Sequence, residues 1–185
     1  MLKKTTLALL LLCGTTTIYA QDIKKEIKTI ETKMDAFASK TGIITKFTDT
    51  KLGMLKLSYG GVAETRICKI NSGTASSYFY QIEKEGKYSS SKASIEYSEL
   101  LEVIKALKTL RAEVDKDLAA NPDYLENNFV TVDGFQVGYY VSKGKSSWYL
   151  KLKKYGTDNT IFVENGESIK TAFNEAKTKI EDLKK

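Results

Sequence analysis

The sequence predicts an α+β fold: an N-terminal helix, then two tandem units, each a four-stranded antiparallel meander followed by one helix, with the helices packed on one face of the sheet or sheets. Three observations carry this expectation. Apolar residues recur at helical spacing in three separate stretches. Between those stretches lie short β-prone runs punctuated by glycine-containing turns. The two halves also repeat one another's element order and part of their residue pattern.

The first residues have the grammar of an export signal. Lys3 and Lys4 supply the positive start, Leu7 to Leu12 the apolar run, and Gly14 to Ala20 a small or polar exit ending in Ile18-Tyr19-Ala20. The apolar run is far shorter than the roughly 20 residues a membrane-spanning helix needs. Residues 1–20 therefore read as a cleaved signal peptide that leaves Gln21 as the first residue, with no transmembrane span once it is removed. The expected destination is outside the cytoplasm, in the periplasm or secreted. A lipid anchor through Cys13 is the lesser reading, because Leu12 stands where such signals place a small residue.

Residues 21–42 follow as an amphipathic helix. Ile23, Ile27, Ile30, Met34 and Phe37 fall at alternating steps of four and three, and Gly42 supplies a stop. The first unit spans 43–121. Its strand signals are Ile43 to Thr48, Leu55 to Tyr59, the run through Ile67-Cys68, Ser77 to Glu83, and Ala93 to Glu96. Gly60-Gly61 and Asn71-Ser72-Gly73 provide turns. Period 3.6 then takes over, with Leu100, Val103, Ile104, Leu107, Leu110, Val114 and Leu118 on one side, until Asn121-Pro122 ends the helix.

The second unit spans 122–185 and runs through the same order. Phe129 to Val132 meets a hairpin signal at Asp133-Gly134; Phe135 to Val141, Ser147 to Lys153 and Thr160 to Glu164 read as strands. The closing helix carries Ile169, Ala172, Phe173, Ala176, Ile180 and Leu183. The segment from Ser76 to Lys84 lies over that from Ser146 to Lys154, Gly73 over Gly144, Gly86 over Gly156, and Ile95-Glu96 over Val163-Glu164. Agreement of turns and strand register together favours a duplicated unit, and the two copies are expected to form one compact domain.

Composition excludes more than it nominates. The formal charge is +6, from 29 basic and 23 acidic side chains; without Lys3 and Lys4 it is +4. Arg66 and Arg111 are the only arginines, so the bidentate fork that reads phosphates and base edges is scarce, which argues against nucleic acid as a partner. Histidine is absent. That removes the commonest general base and the commonest zinc ligand. No phosphate-cradling or dinucleotide glycine motif is present, and no cofactor is implied. Asp115, Asp117 and Asp123 lack the spacing of a calcium loop. Past the signal, Cys68 is the only cysteine, so no internal disulfide forms, and its strand context predicts a buried thiol.

Two patterns remain that can carry chemistry. Glu96 with Glu99, and Glu164 with Glu167, sit at strand-to-helix junctions. They suit an acid-only glycan hydrolase, but each is explained as readily by the positive end of a helix. The other pattern is aromatic. In the strand at 147–153, alternation puts Trp148, Leu150 and Leu152 towards the core and Tyr149, Lys151 and Lys153 on the opposite face. In the matching strand Tyr78, Tyr80 and Ile82 face inward, leaving Phe79 and Gln81 outward, and Tyr140 joins the outer set by the same alternation. Phe79, Gln81, Tyr140, Tyr149, Lys151 and Lys153 thus form a candidate binding face of rigid rings among polar groups. The expected function is a non-catalytic exported module of the cell envelope that holds an envelope protein or glycan. An assembly protein that accepts a partner's strand at a sheet edge is the remaining reading.

Overall fold

Period-two alternation becomes strand, and period 3.6 becomes helix, in nearly the expected places. The structure, a computed structural model, describes residues 31–86, 90–156 and 158–185. The elements in chain order are α1 (Lys33–Ala38), β1 (Thr45–Lys51), β2 (Leu55–Lys56), β3 (Val62–Ser72), β4 (Ala75–Lys84), β5 (Ser91–Glu96), α2 (Tyr97–Ala119), β6 (Leu125–Val130), β7 (Gln136–Ser142), β8 (Lys145–Lys151), β9 (Thr160–Val163) and α3 (Gly166–Leu183). Among the described residues the fold is α+β, with two antiparallel sheets and three helices. One sheet runs β1-β3-β4-β5 with β2 also against β3, and the other runs β6-β7-β8-β9.

The export signal at 1–20 and the residues Ile23, Ile27 and Ile30 lie outside the described residues. Among the described residues, the helix expected over 21–42 appears as α1. Thr32 is extended and caps α1, its hydroxyl accepting from the Asp35 amide, so helix does not run continuously through residue 32. A side chain that captures the orphan amides of a first turn starts a helix at that point.

The inward faces of both sheets meet α2 and α3 in one apolar core. Tyr78, Tyr80, Ile82 and Ile95 of the first sheet share it with Val137, Tyr139, Trp148, Leu150 and Val163 of the second, and with Leu100, Leu107, Ile169 and Phe173 of the helices. Both long helices match the predicted stripes. α2 is capped by Glu96, whose carboxylate accepts from the Ser98 amide, and it stops where Asn121 turns to φ 47° ahead of Pro122. α3 is capped by Asn165. Each long helix also crosses the boundary between the halves. α2 touches β4 and β5 but also β6, β7 and β8, while α3 touches β2, β3 and β9. Among the described residues the sheets themselves join at a single rung, where Leu57 bridges Val163 and the Ser58 amide donates to the Phe162 carbonyl at 2.9 Å.

Three expectations need correction. The first is that all helices share one sheet face. α2 and α3 do, but α1 lies on the opposite face of the first sheet, where Met34 and Phe37 pack on Cys68, Ile70 and Phe79. The second is the match of Gly73 with Gly144. The two-residue turns join Ser72 to Ala75 and Ser142 to Lys145, so Gly73 stands where Lys143 stands. Gly73 alone has positive φ in the first turn, whereas Lys143 and Gly144 both have it in the second. The two turns are thus of different type, and each places glycine where its own twist demands. The third is the match of Ile95 with Val163. Ile95 pairs with Tyr80, but Val163 pairs with Trp148, so β9 is shifted by two residues, which preserves its faces.

Candidate functional site

The face assignment from alternation holds, but exposure does not follow from it. On the outer side of the first sheet, Phe79 is fully buried and Gln81 nearly so. α1 is the cause. Its Met34 and Phe37 cover Phe79, and the Gln81 amide donates to the Met34 sulfur at 3.4 Å and to the Ser94 hydroxyl at 3.1 Å. Gln81 also accepts from Arg66 Nε at 2.9 Å. Arg66 is itself ringed by Asp49, Glu64 and Glu83. Cys68, beside Phe79, is buried as expected; burial and the Asp49 carboxylate push its thiol up to about 12. Phe79 and Gln81 are therefore part of a covered, satisfied layer and are withdrawn from the open face.

The second sheet presents the opposite arrangement. β6 puts Glu126 and Asn128 outward, opposite Tyr140 and Gly138 of β7. β8 places Tyr149 opposite Gly138 on one side and Phe162 of β9 on the other. Tyr149 is buried although it stands outside the core shared with α2 and α3. Its hydroxyl donates to Glu126, two strands away. Crossing two inter-strand spacings of about 4.8 Å takes the ring over β7 at the level of Gly138, where there is no side chain. Gly138 is also held to glycine by close packing, since a Cβ there would meet the Asn127 carbonyl oxygen at 2.4 Å.

Glu126 collects two further donors, the Tyr124 hydroxyl at 2.8 Å and the Asn128 amide at 3.3 Å. The Tyr149 and Tyr124 hydroxyls, chiefly, hold its carboxyl below the usual range. Burial and the same carboxylate raise the Tyr149 phenol. The result is a fixed negative oxygen pair framed by phenols on an open sheet.

Rings continue from there across the sheet. Tyr124 stacks on Tyr140 with centroids 6.2 Å apart and planes at 21°. Tyr140 meets Phe162 edge to face at 6.2 Å, and Phe162 meets Tyr59 in the same manner at 5.8 Å. The two ends of this row are open, Tyr124 at 62% and Tyr59 at 82% exposure. Of the residues read from sequence, Tyr140 stands in the row, Tyr149 lies beneath its polar centre and Lys151 is half-buried beside it. Lys153 is exposed but lies beyond the end of β8, and its carbonyl accepts from Asn159 at 2.8 Å.

Tyr124, Glu126, Phe162 and Tyr59 were not anticipated. Alternation within Leu125–Val130 and Thr160–Val163 marks Glu126 and Phe162 as outward. No local signal marks Tyr59, which reaches the row only because the 57–61 turn is held against β9.

Of the acids at the helix junctions, Glu164 is exposed, and Glu96, Glu99 and Glu167 have structural partners. Glu96 caps α2. Glu99 is buried, pairs with Lys33 at 3.1 Å and accepts from the Val132 amide at 3.1 Å. Glu167 pairs with Arg111 and Lys170. Asp117 accepts from Tyr139 at 2.6 Å. Among the described residues no cluster of three or more acidic or cysteine side chains could hold a metal ion. A groove of about 410 Å³ lies between Gly53–Lys56 and the first turns of α3, where Glu175 already accepts the Gly53 amide. No family model, no curated protein and no solved structure matches this chain.

Proposed function

We propose that this protein is an exported, non-catalytic binding module of the cell envelope that holds an envelope protein or glycan on the outer face of its second sheet. The observation that carries the reading is the row Tyr124, Tyr140, Phe162 and Tyr59, with the fixed Glu126 carboxylate beside it. Exposed rings bury area on binding at small entropic cost, and a carboxylate already locked by two phenols loses little further freedom. Export rests on the order of charge, apolar run and small residues in 1–20. No described helix is long and apolar enough to cross a membrane.

The same proposal takes the chain as a tandem copy of one unit, 43–121 followed by 122–185. An offset of 70 residues across the central hairpin supports it: Cys68 pairs with Phe79 as Gly138 pairs with Tyr149, and Ile67 with Tyr80 as Val137 with Leu150.

The binding reading is tested by replacing Tyr124, Tyr140 and Tyr59 with serine and repeating affinity capture from envelope extract together with glycan-array binding. Loss of the wild-type ligand while the urea midpoint changes little is the expected result. An unchanged ligand set removes the face from consideration. Export is tested by the mass of the protein recovered from cells, which should begin at Gln21.

A further inference from the structure

We propose that α1 is a strap that opens and closes over the first sheet while the rest of the fold stays intact, and that Lys33 is its latch. The core divides in a way that permits this. The main core contains no residue of α1, whereas the small outer cluster consists of Cys68, Ile70 and Phe79 with Met34 and Phe37 packed on them. Lifting α1 therefore breaks the small cluster and leaves the large one whole.

Length and hinge point the same way. α1 has six residues, none of them buried. A helix below about 12–15 residues does not persist in water by itself, so α1 is helical only while docked. The segment joining it to β1, residues 39–44, is exposed throughout, and Gly42 within it takes φ 74°. Segments with few buried contacts and an exposed connection are the ones that open below the global unfolding free energy.

The latch is concentrated on one residue. The Lys33 amide donates to Asp133 Oδ2 at 3.0 Å, and its ammonium pairs with Glu99 Oε1 at 3.1 Å. Asp133 lies in the β6–β7 turn and Glu99 in the first turn of α2, so both contacts tie α1 to elements outside the sheet it covers. Glu99 is the buried member of the pair, and among the described residues its Oε2 has no hydrogen-bond partner and Lys33 is its one ion-pair partner. Release uncovers Ile70 and Phe79 beside Phe47, which pairs with Ile70 and is already 52% exposed.

Cys68 lies under the strap and reports its position. Folded full-length protein is treated with iodoacetamide, and peptide mass separates labelling at Cys68 from labelling at Cys13. The expected wild-type rate is flat across sub-denaturing urea, because opening exposes little surface. Lys33→Met with Glu99→Gln, which removes the charge pair but keeps an acceptor for Val132, should raise the rate at least tenfold with a nearly unchanged urea midpoint. Phe37→Ala, which touches only the small cluster, should do the same. Labelling that climbs with urea along the global unfolding slope, or that ignores both variants, overturns the proposal.

Discussion

The two sheets bury the same outer position by different means. At the third strand of each meander an aromatic residue points away from the main core, Phe79 in β4 and Tyr149 in β8, and both are buried. Phe79 pairs with Cys68 and is hidden by a helix laid over it. Tyr149 pairs with Gly138, crosses the space that glycine leaves, and anchors on Glu126. One solution consumes the whole face. The other leaves the neighbouring rings open, and this is why the candidate binding surface lies on the second sheet, extended by Tyr59 from the 57–61 turn. At the paired position of the partner strand, cysteine in the first sheet stands where glycine stands in the second.

The comparison can be broken most directly by truncating the rings. Phe79→Ala should cost about 3–5 kcal/mol in urea denaturation, as for a fully enclosed phenylalanine. Phe162→Ala, on the uncovered face, should cost roughly 1 kcal/mol. Equal costs would mean that both faces are closed. Next in size is Gly138→Ala, which must push the Asn127 carbonyl away and should cost about 1–3 kcal/mol. Cys68→Ala, which only removes a sulfur under the strap, should cost less. Tyr149→Phe should cost about 1 kcal/mol for one charge-assisted bond whose acceptor, Glu126, is open to water. The same change should move the Glu126 titration, followed by NMR, up towards the ordinary carboxylate range.

The smallest effect is on the alkaline limb of the stability curve. Cys68 and Tyr149 both have folded pKa values above their unfolded ones, so burial favours their neutral forms. Their stabilising contributions are complete below the unfolded pKa and are lost as pH rises through the folded one. For Cys68 the loss begins near about 8.5, and for Tyr149 near about 10. Tyr139, raised to about 12 by burial and Asp117, adds to the second phase. Cys68→Ala should flatten the first phase and Tyr149→Phe part of the second, read as the dependence of the urea midpoint on pH. Parallel curves for wild type and variants would show that neither group is held neutral by the fold.

Much of the architecture was legible in the residues, and the limits have physical causes. The stripes of α2 and α3 and the inward sides of β4 and β8 were read correctly, because periodicity is a local property that burial then rewards. The candidate face was only partly legible. Tyr140 and Lys151 stand where alternation puts them, but Phe79 and Gln81 do not reach solvent, since what covers a face is a segment more than 40 residues upstream. The apolar stripe that predicts one helix over 21–42 passes through Thr32, but Thr32 is extended and caps α1, so that α1 begins at Lys33. Matching Gly73 to Gly144 erred by one residue because two turn types need glycine at different places.

By itself the chain determined most of its elements, the two faces of each strand, and the absence of histidine. Tertiary structure alone decided that Leu57 meets Val163, that Lys33 meets Asp133 across 100 residues, and that α1 lies over one sheet and not the other. The reason is that alternation and helical period specify which way a side chain points. What it meets there depends on contacts between distant segments, whose free energy no local pattern encodes.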